Sequence, residues 1–207
     1  MAKPDIPRKA VYRLSLYHRG LQRLSANRVS TVSSAALAKA AGVKPTQLRK
    51  DLAYLGHFGT RGLGYNVDAL SQKLTDVLGT ARLQPVVLAG VGNLGAALLG
   101  YGGGFAKEGF EIVAAFDLET GRKHVGDEQF AILPISQGPD FIRRNGIKMA
   151  IIAVPGPAAQ EVANAFVAAG VQAILNFAQC VLQVPENVVV NTVDLAIELE
   201  NLSYFIR

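Results

Sequence analysis

The chain has 207 residues, of which 50% are apolar, so it can bury one or two hydrophobic cores. No apolar run reaches the roughly 18 residues of a membrane-spanning helix, and the charged residues 1–10 do not resemble a signal peptide. Its single cysteine, Cys180, excludes an internal disulfide, and we therefore expect a cytoplasmic protein.

The net charge of +5 hides two halves of opposite sign. Residues 1–82 contain 14 lysines and arginines against 4 acidic residues, whereas residues 83–207 contain 7 against 12. A basic module followed by an acidic one predicts that only the first module binds a polyanion such as DNA. The alternative is a basic surface that is merely solvated.

The basic module predicts a helix-turn-helix. Apolar residues recur at three- and four-residue steps between Val11 and Leu24, which indicates a first helix of about five turns. Ser33 precedes the alanine-rich stretch 35–41 as an N-cap, and a glycine ends this second helix. Pro45 suits the first position of a third helix. Two short helices joined by a glycine-containing turn are typical of DNA-binding proteins.

The third predicted helix divides into two faces. Leu48, Leu52 and Leu55 form an apolar stripe, and basic and small polar residues project the other way. A recognition helix needs this division, because one face holds it on the domain and the other faces a DNA groove. Asp51 borders the stripe, so we expect it to pair within the protein rather than with DNA.

A glycine-rich hairpin is predicted after this helix. Gly56–Tyr65 contains four glycines around one arginine, which indicates a mobile tip. In a winged helix, an arginine at such a tip can enter a narrow, A·T-rich minor groove. Asn66 can cap a fourth helix that ends at Gly79, and residues 80–85 form a linker. The predicted DNA-contacting residues are Thr46, Gln47, Arg49, Lys50, Tyr54, Thr60 and Arg61.

The acidic module opens with the pattern of a dinucleotide-binding βαβ unit. An apolar run ends in Gly90-Val91-Gly92-Asn93-Leu94-Gly95 before a helical stretch, and a second apolar run ends in Asp117. The three glycines allow a tight turn, close approach of a pyrophosphate and helix–strand packing, and the helix N-terminus favours the phosphates. Asp117 can accept hydrogen bonds from ribose hydroxyls and would repel a 2′-phosphate, which favours NAD(H) over NADP(H).

The rest of this module alternates strands with helices. The predicted strands are four apolar runs, at residues 130–133, 149–154, 173–177 and 188–190. The predicted helices are residues 139–145 and 158–169, and the segment 119–128 is polar and turn-rich. This alternation predicts a parallel sheet covered by helices, with a ligand at the carboxyl ends of its strands. Those ends bring together Gly90–Gly95, Asp117, Val154, Pro155, Asn176 and Phe177.

The sequence shows no catalytic residues. His18 and His57 belong to the basic module, and His124 is expected in a turn, so none is placed to move a proton opposite a hydride. Cys180 is expected to be structural, and metal-ligand spacing is absent. We therefore expect a sensor rather than an enzyme. The alternatives are a small NAD(P)-dependent oxidoreductase with an appended basic domain, and a CoA- or nucleotide-binding module with a structural helical domain.

Residues 193–206 predict a helix with apolar residues on most of its sides. Such a helix is expected to be buried on all sides. At a chain terminus it is buried most readily against a partner subunit, either by packing on that subunit or by exchanging helices with it. We therefore expect a homodimer, whose two-fold symmetry also suits a palindromic operator. The expected domains are a DNA-binding domain over 1–82, an NAD(H)-binding domain over 83–192 and a dimerisation helix over 193–207.

Motifs in both modules together resemble one family. They are Arg49-Lys50-Asp51-Leu52, Gly59-Thr60-Arg61-Gly62, Gly90-x-Gly92-x-Leu94-Gly95, Phe116-Asp117, Val154-Pro155 and Leu175-Asn176-Phe177-Ala178. Over nearly its whole length, the chain resembles the Rex family of redox-sensing transcriptional repressors. The resemblance implies a homodimeric bacterial repressor with an N-terminal winged helix and a C-terminal Rossmann domain that binds NAD(H). It also implies binding to A·T-rich inverted repeats and release at a high NADH/NAD⁺ ratio.

The resemblance also implies roles for single residues. Arg49 and Lys50 resemble recognition-helix contacts, and Arg61 resembles the wing arginine. The implied cofactor contacts are Gly90, Gly92, Asn93, Leu94 and Gly95 at the pyrophosphate, Asp117 at the ribose, and Tyr101, Pro155, Asn176 and Phe177 near the nicotinamide. The implied allosteric latch is Asp194, which changes partner between Arg19 and Tyr101. Ala53 and Leu55 stand where Ser and Phe are commoner in the family, and the missing serine hydroxyl removes one implied phosphate contact.

Overall fold

The computed structural model describes residues 5–56, 58–60, 62–125 and 128–206. The chain divides into two compact units, Met1–Arg82 and Leu83–Arg207. Over the described residues, no helix is long and apolar enough to cross a membrane. Among the same residues, no group of three or more His, Cys, Asp or Glu side chains is arranged to hold a metal ion.

The described part of the first unit contains four α-helices and a two-stranded sheet. Its elements are α1 (Arg8–Ala26), β1 (Thr31–Val32), α2 (Ser34–Ala40), α3 (Pro45–Leu52) with a 3-10 turn (Ala53–Leu55), β2 (Tyr65–Asn66) and α4 (Val67–Leu78). β1 pairs antiparallel with β2. The short helices α2 and α3 form the predicted helix-turn-helix. One strand of the sheet, β1, precedes this pair of helices and the other, β2, follows it.

Capping interactions confirm where the helices of this unit begin and end. The Ser33 hydroxyl accepts a hydrogen bond from the Ala36 amide (3.1 Å), and the Asn66 side chain accepts one from the Ala69 amide (2.8 Å). Pro45 occupies the first turn of α3, and Gly79, with a φ of 79°, ends α4. These caps satisfy backbone groups that a helix end otherwise leaves unpaired.

The apolar stripe of α3 packs into the core of the first unit, as the sequence predicts. Leu48, Leu52 and Leu55 are buried in one cluster with Leu14 and Leu21 of α1. Because this stripe points inwards, the opposite face of α3 is exposed.

The predicted wing lies between α3 and β2. The Thr60 amide donates to the Gly64 carbonyl (2.9 Å), and the Gly64 amide donates to the Thr60 carbonyl (3.0 Å). Gly64 has a φ of +91°, and a Cβ there would lie 2.3 Å from the Val32 carbonyl oxygen, so only glycine fits next to β1. The predicted wing-tip residue Arg61 and the neighbouring His57 lie outside the described residues.

The second unit is built on a seven-stranded sheet, over the part of the chain that the structure describes. Its elements are β3 (Gln84–Ala89), α5 (Asn93–Gly100), α6 (Gly102–Lys107), β4 (Phe110–Asp117), β5 (Gly121–Val125), β6 (Glu128–Pro134), α7 (Gly138–Asn145), β7 (Met149–Ile152), α8 (Gly156–Ala168), β8 (Ala173–Asn176), β9 (Val189–Thr192) and α9 (Leu195–Ser203). The strand order is β5-β6-β4-β3-β7-β8-β9. All neighbours pair in parallel except β5 and β6. Without β5, this is the doubly wound Rossmann order, whose ligand crevice lies between the first and fourth strands, here β3 and β7.

Strand β5 contradicts the sequence prediction of a turn-rich connection over residues 119–128. It pairs antiparallel with β6, from Gly121 opposite Ile132 to Val125 opposite Glu128. The prediction is wrong because an edge strand is held by backbone pairing with one neighbour and can be polar along its whole length. His124 therefore lies in this strand and not in a turn.

Two predicted elements are shorter than the sequence suggests. β7 ends at Ile152, so Val154 and Pro155 lie in the loop that leads to α8. α9 covers Leu195–Ser203 rather than the whole of residues 193–206, and each of its residues is exposed in the single chain. The early end of β7 leaves its loop at the carboxyl edge of the sheet, where a ligand is expected.

The central strand β3 is buried on both faces. Val87 and Ala89 belong to one apolar cluster with Phe166, whereas Val86 and Leu88 belong to another. Alternate residues of this strand therefore point to opposite sides of the sheet. The packing on both sides fixes the carboxyl end of β3, which is where the glycine-rich loop begins.

Candidate functional site

The glycine-rich loop after β3 gives each of its three glycines a different environment. Gly90 has a φ of +92°, and a Cβ there would lie 2.6 Å from the carbonyl carbon and oxygen of Ala153. A Cβ at Gly95 would lie 2.0 Å from the Gly90 carbonyl oxygen. A Cβ at Gly92 would meet no described heavy atom within 4 Å. The first and third glycines are therefore required for packing, whereas the second borders space that a ligand can enter.

Backbone hydrogen bonds tie this loop to the strands on either side. The Gly90 amide donates to the Phe116 carbonyl of β4 (2.8 Å), and the Ala153 amide donates to the Ala89 carbonyl (2.7 Å). Asn93 and Leu94 are exposed at the first turn of α5. The start of a helix presents N–H donors and the positive end of its dipole, which is suited to a phosphate group.

The carboxylate of Asp117 connects the end of β4 to the same loop. Its Oδ2 accepts a hydrogen bond from the Val91 amide (2.5 Å). Its Oδ1 accepts from the amides of Leu118 (2.6 Å) and Glu119 (3.2 Å). These three bonds hold the carboxylate at the edge of the loop. A carboxylate has about four acceptor positions, so Asp117 can still accept a hydrogen bond from a ligand hydroxyl.

The loop and Asp117 border a crevice of about 1150 Å³ at the carboxyl edge of the sheet. This volume exceeds the roughly 300–1,000 Å³ of common small-molecule pockets and suits an extended ligand. The structure brings most of the predicted cofactor residues to it: Gly90, Val91, Gly92, Asp117, Val154, Pro155 and Phe177. Strand ends that are far apart along the chain therefore border the same crevice.

Part of the crevice wall was not predicted from the sequence. The additional lining includes Ser136 before α7, Glu161 on α8, and an apolar stripe of α8 formed by Ala158, Val162 and Ala165. The helical spacing of that stripe was visible in the sequence. Small apolar residues at this spacing usually indicate core packing, so nothing in the sequence indicated that they border a ligand.

Asn176 supports the crevice instead of lining it. Its side chain is buried, and its Nδ2 donates to the carbonyls of Ala178 (3.2 Å) and Cys180 (3.0 Å). Its Oδ1 accepts from the Ala178 amide (3.0 Å). Asn176 thus holds the loop after β8, and Phe177 and Ala178 of that loop border the crevice.

The three residues of the predicted latch occupy different elements. Tyr101, at the end of α5, is 60% exposed and packs edge-to-face on Phe105, with ring centroids 5.1 Å apart. Asp194 caps α9, because its Oδ1 accepts from the amides of Ala196 (2.9 Å) and Ile197 (3.3 Å). Arg19 is exposed on α1 in the first unit. Neither Tyr101 nor Asp194 is part of the crevice lining, so the latch stays a prediction.

The first unit presents the predicted DNA-contacting residues of α3 on one face. Thr46, Arg49, Lys50 and Tyr54 are exposed, and Thr60 is exposed in the wing. The Arg49 guanidinium donates to the Ser34 hydroxyl at the start of α2 (3.1 Å). This bond joins the two helices of the helix-turn-helix at their exposed edge.

Asp51 is buried, 1% exposed, and accepts four hydrogen bonds from side chains. Arg13 on α1 donates from Nε to Oδ2 (2.6 Å) and from Nη2 to Oδ1 (2.7 Å). The Tyr17 hydroxyl donates to Oδ2 (2.7 Å), and Gln47 Nε2 donates to Oδ1 (2.8 Å). The prediction that Asp51 pairs within the protein is confirmed.

These contacts control the protonation of the cluster. Burial alone would raise the pKa of Asp51, but the hydrogen bonds from Arg13, Tyr17 and Gln47 outweigh it and hold that pKa below its usual value of 3.8. Burial, together with the hydrogen bond to Asp51, raises the pKa of Tyr17. Asp51 is therefore ionised and Tyr17 neutral at physiological pH.

Two family models and many relatives match the chain. Residues 5–53 match the family described as "Putative DNA-binding protein N-terminus", and residues 82–180 match the family described as "CoA binding domain". The redox-sensing transcriptional repressor Rex of Carboxydothermus hydrogenoformans is 45% identical over 202 residues, which are 98% of this chain and 97% of that protein. The chain belongs to the Rex family. Its members are regulators of transcription, which confirms the prediction of a regulator rather than an enzyme.

Solved structures of RSP, a Rex-family repressor, share the fold. The RSP complex with β-NAD⁺ and operator DNA has a TM-score of 0.88 at 36% identity, over 96% of this chain and 91% of RSP. The RSP complex with β-NADH has a TM-score of 0.84 at 34% identity, over 97% and 93% of the two chains. These matches confirm the predicted fold class of an N-terminal DNA-binding domain followed by a Rossmann-like domain.

Proposed function

We propose that this Rex-family member represses transcription as a homodimer that binds A·T-rich inverted repeats and leaves them when NADH fills the crevice. The observation that carries the proposal is that Gly92 and Asp117 line the same crevice. Gly92 borders open space, and the loop holds the carboxylate of Asp117 by a hydrogen bond. A repressor acts where the chromosome lies, so the proposed location is the cytoplasm.

The crevice suits the adenosine and pyrophosphate half of NAD(H). A pyrophosphate next to Gly92 would meet the first turn of α5, and a ribose hydroxyl would donate to Asp117. The negative charge of Asp117 disfavours the 2′-phosphate of NADP(H). RSP, a relative of the same fold, is known in complex with β-NAD⁺ and with β-NADH.

The wall proposed for the nicotinamide end of the cofactor suits its uncharged form. Val154, Pro155 and Phe177 border the crevice and offer apolar side chains. The nicotinamide ring is positively charged in NAD⁺ and neutral in NADH, and transferring a charge to apolar surroundings is costly. NADH should therefore fill this end more readily than NAD⁺.

The first unit suits double-stranded DNA. Arg49 and Lys50 are exposed on the recognition face of α3, and residues 1–82 carry an excess of ten basic residues over acidic ones. Basic residues on such a helix contact phosphates and bases in a major groove. RSP is known in complex with operator DNA. The proposed A·T-rich preference rests on Arg61, which the sequence predicts at the wing tip.

The exposed apolar face of the C-terminal helix supports a homodimer. Leu195, Leu199 and Leu202 on α9, and Phe205 just after it, are each more than half exposed in the single chain. Leaving that much apolar surface in water is unfavourable, and a second copy of the chain would cover it. Two copies related by a two-fold axis would also place two recognition helices on the two halves of an inverted repeat.

In the proposed switch, NADH and DNA favour different arrangements of the dimer, so each weakens the binding of the other. Asp194 is the proposed latch, with Arg19 and Tyr101 as its alternative partners. Capping of α9 uses Oδ1 of Asp194, and a carboxylate can accept further donors. A coupling of about 1–3 kcal/mol would be typical of such a switch.

A DNA-binding titration on an A·T-rich inverted repeat tests the function, run with NADH, NAD⁺ and NADPH in parallel. We expect NADH alone to weaken DNA binding, by about 5- to 150-fold. An equal response to all three nucleotides would overturn the redox-sensor proposal.

The variant Asp194→Asn tests the latch, because it keeps an equally good helix cap but removes the charge. If this variant released DNA in response to NADH as the wild type does, the latch would be wrong.

A further inference from the structure

We propose that the buried Asp51 is a positioning residue for DNA recognition, and that Gln47, which it holds, reads an adenine in the operator. The inference rests on the proposed function, because it assumes that α3 lies in a major groove. Its starting point is the hydrogen bond from Gln47 Nε2 to Asp51 Oδ1 (2.8 Å) within α3.

Gln47 lies where base-reading residues lie in a helix-turn-helix. It belongs to the first turn of α3, and the N-terminal residues of a recognition helix are those that contact base edges. It is half-buried between the buried Leu48 and the exposed Thr46, so it stands at the border of the exposed face. Gln47 and Asp51 are four positions apart, which places both side chains on the same side of the helix.

The partner of Gln47 fixes which way its amide points. A glutamine amide can usually turn over, because its oxygen and nitrogen differ little in shape. An ionised carboxylate only accepts hydrogen bonds, so Asp51 must be faced by Nε2 and not by Oε1. The hydrogen bonds that lower the pKa of Asp51 keep this carboxylate ionised. The Gln47 oxygen is thereby turned away from the core.

The groups left on Gln47 match adenine. One Nε2 hydrogen goes to Asp51, and a second Nε2 hydrogen and Oε1 remain. In the major groove, adenine offers N7 as an acceptor and its N6 amino group as a donor, and glutamine pairs with both. Holding the amide before DNA arrives also reduces the side-chain entropy lost on binding.

Asp51 is anchored independently of Gln47, so its orientation does not depend on the residue that it holds. Arg13 binds both carboxylate oxygens and Tyr17 binds Oδ2, and both of these residues lie on α1. With Gln47, these bonds fill the roughly four acceptor positions of a carboxylate. Through Asp51, helix α1 therefore fixes the direction of the half-buried Gln47 amide on α3.

The test measures base discrimination by the full chain without NADH. The probe is an A·T-rich inverted-repeat duplex, together with a set of duplexes in which each A·T pair is replaced symmetrically by G·C. Dissociation constants are measured by fluorescence anisotropy. Gln47→Leu keeps the size and the helix but loses the amide, and it should lose about tenfold of the discrimination at one A·T pair and little elsewhere.

The matched control is Tyr17→Phe. It removes a hydrogen bond from the same carboxylate but leaves the Gln47 bond in place, so it should keep the wild-type discrimination at every pair. Asp51→Asn should lose discrimination at the pair that Gln47 reads. In the Gln47→Leu background, Asp51→Asn should cause no further loss at that pair, because the two residues act through one contact.

Two results would overturn the inference while the proposed function stands. One is a Gln47→Leu variant that discriminates at every pair as the wild type does. The other is an Asp51→Asn variant that changes discrimination equally with and without Gln47. A wild-type protein that does not prefer the inverted repeat to a scrambled duplex would instead remove the proposed function, and this inference with it.

Discussion

At the scale of single residues, Gly90 and Gly92 are identical in chemistry but face different constraints. A methyl group at Gly90 would collide with the backbone of Ala153 and require a strained backbone conformation. A methyl group at Gly92 would enter open space. We expect Gly90→Ala to lower the free energy of unfolding by about 3 kcal/mol and Gly92→Ala by less than about 0.5 kcal/mol.

The affinity for NADH provides a second test of Gly92. Gly92→Ala should weaken NADH binding about tenfold or more, since its methyl group occupies the space proposed for a phosphate. Denaturant unfolding followed by circular dichroism gives the stabilities, and NADH fluorescence gives the affinities. A Gly92→Ala variant that binds NADH as well as the wild type would place the pyrophosphate elsewhere.

Asp51 makes the free energy of unfolding of the first unit depend on pH in the acidic range. Its pKa in the folded protein lies below the usual value of 3.8, because the donated hydrogen bonds outweigh burial. Its contribution to stability is therefore complete above the unfolded-state pKa of about 3.9 and is lost as the pH falls through the lower folded-state pKa.

The variant Asp51→Asn should reveal this loss. The difference in the free energy of unfolding between the wild type and the variant should become smaller as the pH falls. At neutral pH, breaking the buried ion pair with Arg13 should cost about 3 kcal/mol. Below about pH 4 the difference should decline. Melting curves of both proteins across this range provide the measurement, and a difference independent of pH would contradict the assigned protonation.

At this scale, sequence alone predicted that Asp51 pairs within the protein, but it could not predict the contacts of Asn176, for a physical reason. Asp51 could be assigned to an internal pair because it borders a stripe of leucines on the same helix. Asn176 was expected at the cofactor, but its amide is used by the Ala178 and Cys180 backbone. Which polar group a side chain meets depends on how a loop folds back, and the spacing of residues does not contain that information.

At the scale of elements, helix boundaries were predictable where local residues decide them. Ser33, Asn66 and Gly79 act on backbone groups within a few residues, so their effect can be predicted from the sequence. β5 was missed because its order comes from pairing with β6, which local composition does not show. The parallel sheet of the Rossmann-like domain was predictable from the glycine-rich motif and the alternation of strands and helices, whereas its strand order came only from the structure.

Helix α9 carries the prediction for the proposed dimer. Leu199 is 67% exposed in the single chain, and we place it in the contact between two copies. Leu199→Lys should raise the dimer dissociation constant about 100-fold or more, because it removes apolar contact and brings a charge into the interface. The control is Val181→Lys, at a residue that is 82% exposed outside this helix.

Light scattering of both variants gives their oligomeric state. The monomeric variant should also lose most of its affinity for the inverted repeat, whereas Val181→Lys should keep both properties. If Leu199→Lys remained a dimer at the concentrations at which Val181→Lys does, the dimer would have to form through another surface.

At the scale of the whole molecule, the charge is divided between the two units. The first unit holds 14 of the 21 basic residues, and the second holds 12 of the 16 acidic ones. This division follows the proposed division of labour, because DNA attracts the basic unit and repels the acidic one. It was fully visible in the sequence, since net charge needs no structure.

The salt concentration should therefore change the affinity for operator DNA much more than the affinity for NADH. With about four phosphate contacts from Arg49 and Lys50 in a dimer, operator affinity should fall about 100-fold between 50 and 200 mM salt. NADH affinity should change less than about threefold, since its binding involves few charges in a partly buried site. Parallel titrations on the full chain measure both, and a shallow salt dependence for DNA would argue against phosphate contacts by α3.

Asn176 has a consequence that reaches beyond the loop that it supports. Its side chain fastens Ala178 and Cys180, while its carbonyl accepts a hydrogen bond from the Val193 amide (2.8 Å), just before α9. The loop that borders the crevice and the segment that precedes the terminal helix are therefore both held by Asn176. We expect a displacement of that loop to be transmitted to the start of α9 through this residue.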